Sequence, residues 1–298
     1  MHEISEPAAI PTCQSPDPHP RKPALALPPH ACDTHAHIYA PPGKYPYSKR
    51  RAYDPAPCTL DDYLYLQDVL GIERAVIVNP SIYGNDNRPT LDAIARVGSR
   101  FRGIAVVTPD VTDKELTRLH AGGMRGLRTT TLTGGGTRVE HIATLADKVK
   151  DLGWVVQVHL NRIEDLSDIV PLLERLPTRY LIDHFGRVRG DEGVAHPAFQ
   201  TLLRRLRSDD RCWAKLCSFY RLSDSGPPAY ADMVPMAQAL IEAAPDRLVW
   251  GTNWPHPQYP DRMPNDGDLV DVMRSWTGDA TIFCRIFADN PARLFGFD

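Results

Sequence analysis

An apolar strand runs directly into a turn punctuated by glycine and proline in the stretch Val249-Trp250-Gly251-Thr252-Asn253-Trp254-Pro255-His256-Pro257. In a (β/α)8 barrel the catalytic groups lie at the C-terminal ends of the strands, on the turns that follow them. A polar turn after an apolar strand is how such a group is presented. The stretch therefore predicts the last strand of a barrel, with Asn253 and His256 at its mouth.

A second polar strand end lies near the start of the chain and reads Cys32-Asp33-Thr34-His35-Ala36-His37. Successive side chains of a strand point to opposite faces, so His35 and His37 share one face. We expect both imidazole rings to point into the pocket that the last strand also faces. The site is then assembled from both ends of the chain.

The composition is ordinary for a soluble globular protein. The chain has 298 residues, 42% of them hydrophobic and 24% charged, and this length favours one large α/β domain. A net charge of -3 gives no reason to expect nucleic acid or an anionic membrane as a partner. Because the N-terminus lacks a signal peptide, no apolar run approaches transmembrane length and the six cysteines show no CxxC pair, we expect a cytoplasmic protein with reduced thiols.

Residues 1–29 contain eight prolines and almost no periodic apolar pattern. Such a segment forms neither helix nor strand and is typical of an extended arm. We expect the arm to lie over the barrel or over a neighbouring subunit of a homo-oligomer. The predicted organisation is an arm at 1–29 and a barrel at 30–298.

From residue 31 onward, short apolar runs alternate with amphipathic segments, which predicts repeated βα units and a parallel sheet. Eight strand-like runs occur, at 31–37, 74–79, 103–108, 124–129, 154–160, 180–185, 212–217 and 248–252. Eight helix-like segments lie near 60–70, 89–97, 113–121, 140–152, 165–176, 197–207, 230–243 and 269–276. This count favours a single closed (β/α)8 barrel over an open doubly wound sheet, and no glycine-rich dinucleotide motif follows the first strand.

Two further segments are interpreted from their composition. The tail 281–297 is typical of a closing helix that caps the barrel. The loop 39–58 is long for a βα connection and rich in Pro, Tyr, Lys and Arg. Because long loops on the catalytic face are usually functional, it is a candidate lid.

The predicted strand ends carry an unusual number of polar side chains. They are His35 and His37, Asn79 with Ser81, Thr108, Arg128, His159, His184 with Arg187, Lys215, and Asn253 with His256. Such a set suits water attack on a carbonyl compound, which needs a general base and donors for the developing oxyanion. Either His35, His37 and His184 supply that stabilisation directly, or His35, His37 and His159 hold a divalent metal that does so.

Cationic side chains form a second theme at the same strand ends. Arginine is a planar fork that suits carboxylate or sulfonate oxygens, so Arg128, Arg187 and Arg221, together with Lys215, predict an anionic substrate. A further group at 204, 205 and 207 lies on a polar helix face and is interpreted as surface charge.

Taken together, four motifs resemble the amidohydrolase superfamily. They are Asp33-Thr34-His35-Ala36-His37, Gly123-Met124-Arg125-Gly126-Leu127-Arg128, Asp183-His184-Phe185-Gly186-Arg187 and Trp250-Gly251-Thr252-Asn253-Trp254-Pro255-His256-Pro257. The resemblance runs from about residue 31 to the C-terminus, and the last motif points to the branch that contains 2-pyrone-4,6-dicarboxylate lactonase and 4-sulfomuconolactone hydrolase. It implies a barrel that opens an unsaturated, acid-bearing lactone in bacterial breakdown of aromatic compounds.

The resemblance also implies roles for individual residues. His35, His37 and His184 correspond to residues that act on the substrate carbonyl, and Asn253 stands where the family has an aspartate as general base. Side chains that correspond to the substrate-binding set of the branch are Tyr53, Ser81, Arg128, Arg187 and Arg221, and His256 after the last strand is a further candidate for substrate binding. The expected substrate is a small anionic lactone.

This chain departs from the branch at three places. Residue 253 is an asparagine, which accepts no proton at neutral pH. His159 replaces a tyrosine of the metal-free lactonase, and the segment 133–136 reads Thr-Gly-Gly-Gly where that lactonase has a further arginine. We therefore favour a sulfomuconolactone-type hydrolase with one divalent ion, most often zinc in such sites, held by His35 and His37 with help from His159 or His184.

Two alternatives from other classes stay open. One is a metal-dependent decarboxylase of the same superfamily, and the other is a catalytically silent binding protein, which Asn253 favours. Asparagine preserves the shape of aspartate without its proton acceptance, so we interpret Asn253 as an engineered Asp→Asn change that traps substrate, with a natural asparagine as the second case.

Overall fold

The computed structural model describes residues 10–41, 43–132 and 136–297. Eight main strands follow one another along the chain: β1 Cys32–Ala36, β2 Arg74–Val78, β3 Phe101–Ala105, β4 Met124–Thr130, β5 Val155–His159, β6 Tyr180–Ile182, β7 Cys212–Leu216 and β8 Leu248–Trp250. Each pairs in parallel with the next, and a two-residue strand, Thr137–Arg138, adds to β4. The order in space is therefore the order in sequence.

The last strand returns to the first and closes the ring. The backbone N–H of Asn253 donates to the carbonyl of His35 at 2.7 Å, and the N–H of His37 donates to the carbonyl of Trp254 at 2.8 Å. Gly251 permits this approach, because a Cβ there would lie 2.8 Å from the His35 backbone nitrogen. The predicted single (β/α)8 barrel is confirmed.

Helices connect the strands on the outside of the barrel. They are α1 Leu60–Leu70, α2 Arg88–Val97, α3 Asp113–Ala121, α4 Ile142–Val149, α5 Asp165–Leu173, α6 Pro197–Ser208, α7 Val234–Ala243 and α8 Asp266–Thr277. Their start signals are local. Thr59 and Asp62 form a capping box at α1, and the Asn265 side chain accepts from the Gly267 N–H at the start of α8.

Most strand boundaries lie within one or two residues of the sequence prediction, and the largest differences are at β3 and β6. β6 ends at Ile182 rather than at 185, because the residues from His184 to Arg187 have φ between 52° and 68°, and left-handed backbone does not continue a strand. β3 begins at Phe101, so Gly103 lies inside the strand rather than at its start. A Cβ at Gly103 would lie 2.3 Å from the Met124 sulfur, so packing explains the glycine.

The barrel interior changes from apolar to polar along the strands. At the N-terminal end, inward side chains of the strands cluster with those of the C-terminal tail: Cys32, Val76, Val78, Ile104, Val155, Leu181, Trp213 and Val249 with Leu294, Phe295 and Phe297. Two positions further along β5 and β7, the same face carries Gln157 and Lys215. The period of two therefore leads from a closed apolar floor to a polar site.

The tail that was predicted as one closing helix has three parts. They are α9 Ala280–Cys284, a π-helical segment Arg285–Asp289 and α10 Asn290–Phe295. Because Leu294 and Phe295 join the apolar cluster at the N-terminal end, the tail covers the barrel opposite the polar site.

The described part of the arm, residues 10–29, contains no helix. Arg21 forms ion pairs with Asp268 at 2.7 Å and Asp271 at 2.5 Å on α8. Near its start, Cys13 donates its N–H to the Asp54 carbonyl at 2.8 Å, and its sulfur accepts from the Gln258 N–H at 3.1 Å. The arm thus joins the loop 39–58 to the loop after β8. The boundary between arm and barrel stays a prediction.

The structure bears on two predictions that were made from the composition. All six cysteines are free thiols. Within the described ranges, no helix is both long enough and apolar enough to span a bilayer. The predicted cytoplasmic location, the oligomeric state and the expectation of no nucleic-acid partner stay predictions.

Candidate active site

A cavity opens at the C-terminal ends of the strands. Ten residues singled out from the sequence line it: His37, Tyr53, Asn79, Ser81, Arg128, His159, His184, Arg187, Arg221 and Asn253. Its volume of about 230 Å³ suits a small molecule rather than a polymer. His35 and His256 are not among the lining residues, and both are fully buried behind the wall.

Three of the four histidines, His37, His159 and His184, line the cavity, and His35 lies behind them. The ring of His35 lies 5.0 Å from that of His37 and 4.7 Å from that of His184, and His159 lies 5.2 Å from His184 between ring centroids. Burial lowers the pKa of all four rings, in the case of His37 to about 3. These imidazoles are therefore neutral at neutral pH.

A fully buried ion pair lies beneath the histidines. The Lys215 ammonium donates to the Thr34 carbonyl, to Gln157 Oε1 and to His35 Nδ1, each at 3.0 Å, and lies 3.2 Å from Asp183 Oδ1. Burial alone would raise the pKa of Asp183, but Lys215 and the cationic groups around it lower that pKa to about 2. The sequence assigned Lys215 to anion binding, and this is corrected by its position in the interior, away from the cavity.

These contacts decide the tautomer of His35. An ammonium has three donors and no acceptor, so Nδ1 of His35 accepts from Lys215 and the ring proton lies on Nε2. Nε2 is buried and has no hydrogen-bond partner within the described chain. His35 therefore presents an unused N–H donor beneath the cavity floor.

The ring of His37 carries its proton on the other nitrogen. Its Nδ1 lies 2.8 Å from the carbonyl oxygen of Val78, which only accepts. The proton of this neutral ring is thus on Nδ1, and Nε2 carries a lone pair. His37 can accept a hydrogen bond or a proton in the cavity, whereas His35 can only donate.

His184 contacts a residue that the sequence did not single out. Its Nδ1 lies 2.9 Å from the sulfur of Cys217, and burial raises the pKa of that thiol to about 12. The thiol fixes the ring and leaves Nε2 for a ligand. Cys217 follows Lys215 by two positions, so the period of two on β7 was the available signal.

Asn253 lies three residues after the end of β8, in left-handed backbone with φ 62°. Its Nδ2 donates to the Tyr220 hydroxyl at 2.9 Å, which lies 2.7 Å from Nδ1 of His256. Nε2 of His256 lies 3.4 Å from the Asp266 carboxylate. The sequence assigned His256 to substrate binding. The structure gives its two ring nitrogens to Tyr220 and Asp266 instead.

The three predicted arginines line the cavity but differ in their partners. Arg128 lies 3.5 Å from Asp183 Oδ2. Arg187 donates from Nε to the Asn161 carbonyl at 3.2 Å, and Arg221 donates to backbone carbonyls of the loop after β8. Within the described ranges no carboxylate lies within 4.0 Å of Arg187 or Arg221, so their charges face the cavity uncompensated.

The predicted lid residue Tyr53 lies on the opposite wall. Its hydroxyl is 2.8 Å from that of Tyr39 and also bonds to Ser81. Burial raises the pKa of Tyr53 to about 12, so the hydroxyl stays protonated and can donate to an anion. The loop 39–58 therefore contributes directly to the cavity. The segment 133–136 has no arginine where the resemblance implies one. Of these four residues, the structure describes only Gly136.

The sequence is similar to those of known proteins over most of its length. The Amidohydrolase family model matches residues 32–297. The chain belongs to this amidohydrolase family. It is 40% identical over 296 residues to a 4-sulfomuconolactone hydrolase of Rhizobium radiobacter, covering 97% of each chain. It is 35% identical over 285 residues to a 2-pyrone-4,6-dicarboxylate hydrolase of Comamonas testosteroni, covering 93% of each.

A solved structure agrees with this assignment. An apo crystal structure of an Agrobacterium tumefaciens protein superposes with a TM-score of 0.83 at 28% identity, covering 94% of this chain and 99% of that one. The resemblance inferred from four motifs is confirmed, and this amidohydrolase is an enzyme, three of whose curated relatives are named as hydrolases of lactones.

The amidohydrolase has candidate metal ligands, although not the predicted set. Among the described residues, the buried donors whose ligand atoms lie within 4.8 Å of one another are His35, His184 and Cys217. His35 is a poor ligand in this arrangement, because Lys215 leaves the proton on Nε2. His37, His159 and His184 are neutral and line the cavity, so their ring nitrogens are chemically suited to a divalent ion.

Sequence reasoning missed the amidohydrolase residues that act through others. Asp183 stands beside His184 in a quoted motif, and Tyr220 precedes Arg221, yet neither was given a role. Asp266 begins α8 and carries no pattern that marks it. These groups are recognised only when the elements that bear them are brought together.

Proposed function

We propose that the protein hydrolyses an acid-bearing lactone, of the 4-sulfomuconolactone type first and the 2-pyrone-4,6-dicarboxylate type second. The observation that carries the proposal is the pair Arg187 and Arg221, two cations that line one cavity without a carboxylate partner among the described residues. Both side chains are half-buried, and a partly desolvated arginine without a carboxylate partner is suited to an anionic ligand. The printed names of the relatives support the same substrate class.

The preference between the two lactones rests on the number of free cations. Arg128 is already engaged with Asp183 at 3.5 Å, and the segment 133–136 has no arginine. The cavity therefore has less positive charge than the dicarboxylate-type pocket implied by the resemblance. This favours the sulfonated lactone named for the Rhizobium relative.

In the proposed mechanism the side chains divide into donors and acceptors. Arg187 and Arg221 hold the acid group, and the ring of His184, which lines the cavity with His35 behind it, polarises the lactone carbonyl. Asn253 and Nε2 of His37 accept hydrogen bonds from a water molecule. The water oxygen attacks the carbonyl carbon, its proton passes to a base, and the ring C–O bond breaks as its oxygen gains a proton.

The two groups that accept hydrogen bonds from the water, Asn253 and His37, are both poor general bases. Asn253 accepts hydrogen bonds but not a proton. The lone pair on His37 Nε2 is available, but burial lowers the pKa of this ring to about 3, which makes it a poor base. We therefore propose slow turnover in the chain as it stands.

One divalent ion, with zinc as the expected metal, is part of the proposal. In place of the hydrogen bond that His37 Nε2 accepts from water, His37, His159 and His184 would hold the ion, and it would polarise the carbonyl and lower the pKa of bound water. We expect roughly one equivalent per chain in protein purified without chelator, measured by elemental analysis. A metal-free chain whose activity is unchanged by chelator contradicts this and leaves the histidines in hydrogen-bonding roles.

The function is tested by offering both lactones to the purified protein. We expect ring opening, followed by loss of lactone absorbance and by a product with the mass of lactone plus water, with the higher kcat/KM for the sulfonated lactone. Because turnover is slow, binding is measured separately as a rise in Tm. A ligand at 100 times its Kd stabilises the folded protein by about 2.7 kcal/mol. Carbon dioxide release without ring opening would overturn the lactonase in favour of the decarboxylase.

A further inference from the structure

A chain of four buried side chains leads from α8 to the cavity. Asp266 contacts Nε2 of His256 at 3.4 Å, Nδ1 of His256 contacts the Tyr220 hydroxyl at 2.7 Å, and that hydroxyl contacts Nδ2 of Asn253 at 2.9 Å. All four residues are buried, and of them Asn253 lines the cavity. Asp266 and His256 lie behind Tyr220, which contacts two lining residues, Asn253 through its hydroxyl and Arg221, whose guanidinium lies 5.6 Å from the Tyr220 ring centroid.

The hydrogen bonds in this chain all run in one direction. Nδ2 of Asn253 only donates, so the oxygen of Tyr220 accepts from it and the hydroxyl proton goes to Nδ1 of His256. The ring proton of His256 then lies on Nε2, beside the Asp266 carboxylate, which accepts. The amide of Asn253 therefore has Nδ2 toward Tyr220 and Oδ1 on the other side.

Hydrogen bonds fix the main chain of Asn253, so what remains to be set is the orientation of its side-chain amide. The Asn253 N–H donates to the His35 carbonyl at 2.7 Å, and its carbonyl accepts from the His256 N–H at 2.8 Å. Asparagine tolerates the left-handed φ of 62° that this turn requires. With the main chain fixed on both sides, Tyr220 determines which end of the amide faces the cavity.

We propose that Asp266, His256 and Tyr220 are positioning residues that hold Oδ1 of Asn253 toward the cavity, where it accepts a hydrogen bond from the attacking water. This inference rests on the proposed lactone hydrolysis. It replaces the substrate-binding role that the sequence gave to His256. At the cavity end, this chain of hydrogen bonds needs a donor to the Tyr220 oxygen. Asparagine supplies that donor and an ionised aspartate does not, so the surroundings of residue 253 match a natural asparagine.

The polarity of the chain is tested without any variant and without any substrate. Long-range ¹H–¹⁵N spectra of the histidine rings are recorded on the whole protein at neutral pH. We expect His256 to carry one proton, on Nε2. A proton on Nδ1, alone or together with one on Nε2, reverses the chain, turns the amide around and overturns the proposal. Since no turnover is needed, this result is separate from success or failure of the lactonase assay.

The positioning role is tested by two substitutions. Tyr220→Phe removes the link, and Asp266→Ala removes the acceptor at the inner end of the chain of hydrogen bonds. A small misplacement of a reacting group costs up to about 100-fold in rate, so we expect kcat to fall by about 10- to 100-fold with KM within about twofold of the parent. An unchanged kcat, or a rise in KM alone, overturns the positioning role, and the second outcome would return Tyr220 and His256 to substrate contact.

A matched control distinguishes a positioning effect on kcat from the general effect of removing a buried hydroxyl. Tyr180 lies on β6, is buried, and bonds through its hydroxyl to Asp209 at 3.1 Å, far from the chain described above. Tyr180→Phe should lower Tm while leaving kcat unchanged. If a substitution in the chain prevents folding, the ring spectra of the parent still decide the proposal.

Discussion

Replacing Asn253 by Asp is expected to raise kcat for lactone hydrolysis by roughly 10²- to 10⁴-fold, because general base catalysis contributes about this much. The substitution keeps the shape of the side chain and its place after the end of β8. It adds a proton acceptor beside the water that the proposed mechanism places there. Binding of the lactone should change little, since the arginines that hold it are untouched.

The hydrogen-bond chain behind residue 253 opposes this gain. An ionised aspartate has no donor for Tyr220, so the hydroxyl turns toward the carboxylate and leaves Nδ1 of His256 without a donor. An unsatisfied buried group costs about 1 to 3 kcal/mol. A rate gain of 10²- to 10⁴-fold corresponds to about 3 to 5 kcal/mol, so the base effect prevails for the rate. The cost should be seen as a lowered Tm in the aspartate variant.

The measurement is kcat and KM against pH for parent and variant. The carboxylate works as a base only when ionised, so the Asn253→Asp rate should fall as pH drops through the pKa of that group. Asn85 is exposed, and Asn85→Asp serves as a control that adds the same charge away from the cavity. An aspartate variant no faster than the parent on either lactone would place the base elsewhere, with His37 as the next residue to substitute.

The second large effect is expected from the arginines. Removing one partner of a desolvated charge pair costs about 2 to 5 kcal/mol. Arg187→Ala and Arg221→Ala should therefore lower kcat/KM by more than about tenfold, mainly through KM, because each removes a cation that has no protein carboxylate to engage. Arg128→Ala should lower kcat as well, since it also removes a partner 3.5 Å from the buried Asp183.

The control for these substitutions is Arg189→Ala. Arg189 follows Arg187 by two residues but pairs with Asp191 at 3.4 Å and with Asp224, and it does not line the cavity. Its loss should leave kcat/KM unchanged. If all three lining variants handle both lactones like the parent, the anionic substrate is excluded.

The order of the elements and the location of the site could be predicted from the sequence. Alternation of short apolar runs with amphipathic segments is a local property, so it predicted eight strands and eight helices before any contact was known. The polar residues at strand ends were predictable for a similar reason, because parallel strands in a barrel bring all their C-terminal ends to one mouth. His37, His184 and Arg187 are examples.

Backbone turns were less predictable. The end of β6 was placed three residues too late, because Asp183-His184-Phe185 contains apolar and aromatic character and nothing local marks the left-handed turn. The conformation is stabilised by contacts with distant elements, such as Cys217 beside His184.

What the sequence by itself determined was the barrel, its family and which side chains meet at the mouth. Which of them touch the substrate, and with which atom, was decided only by the tertiary structure. Lys215 and Arg128 are both cations at strand ends, yet Lys215 lies in the interior, where it fixes the proton of His35. His256 is three residues from Asn253 in sequence, yet it acts through Tyr220, which comes from another strand end. The physical reason is that hydrogen-bond partners across a barrel are set by which strands close upon each other, and that is a property of the whole fold.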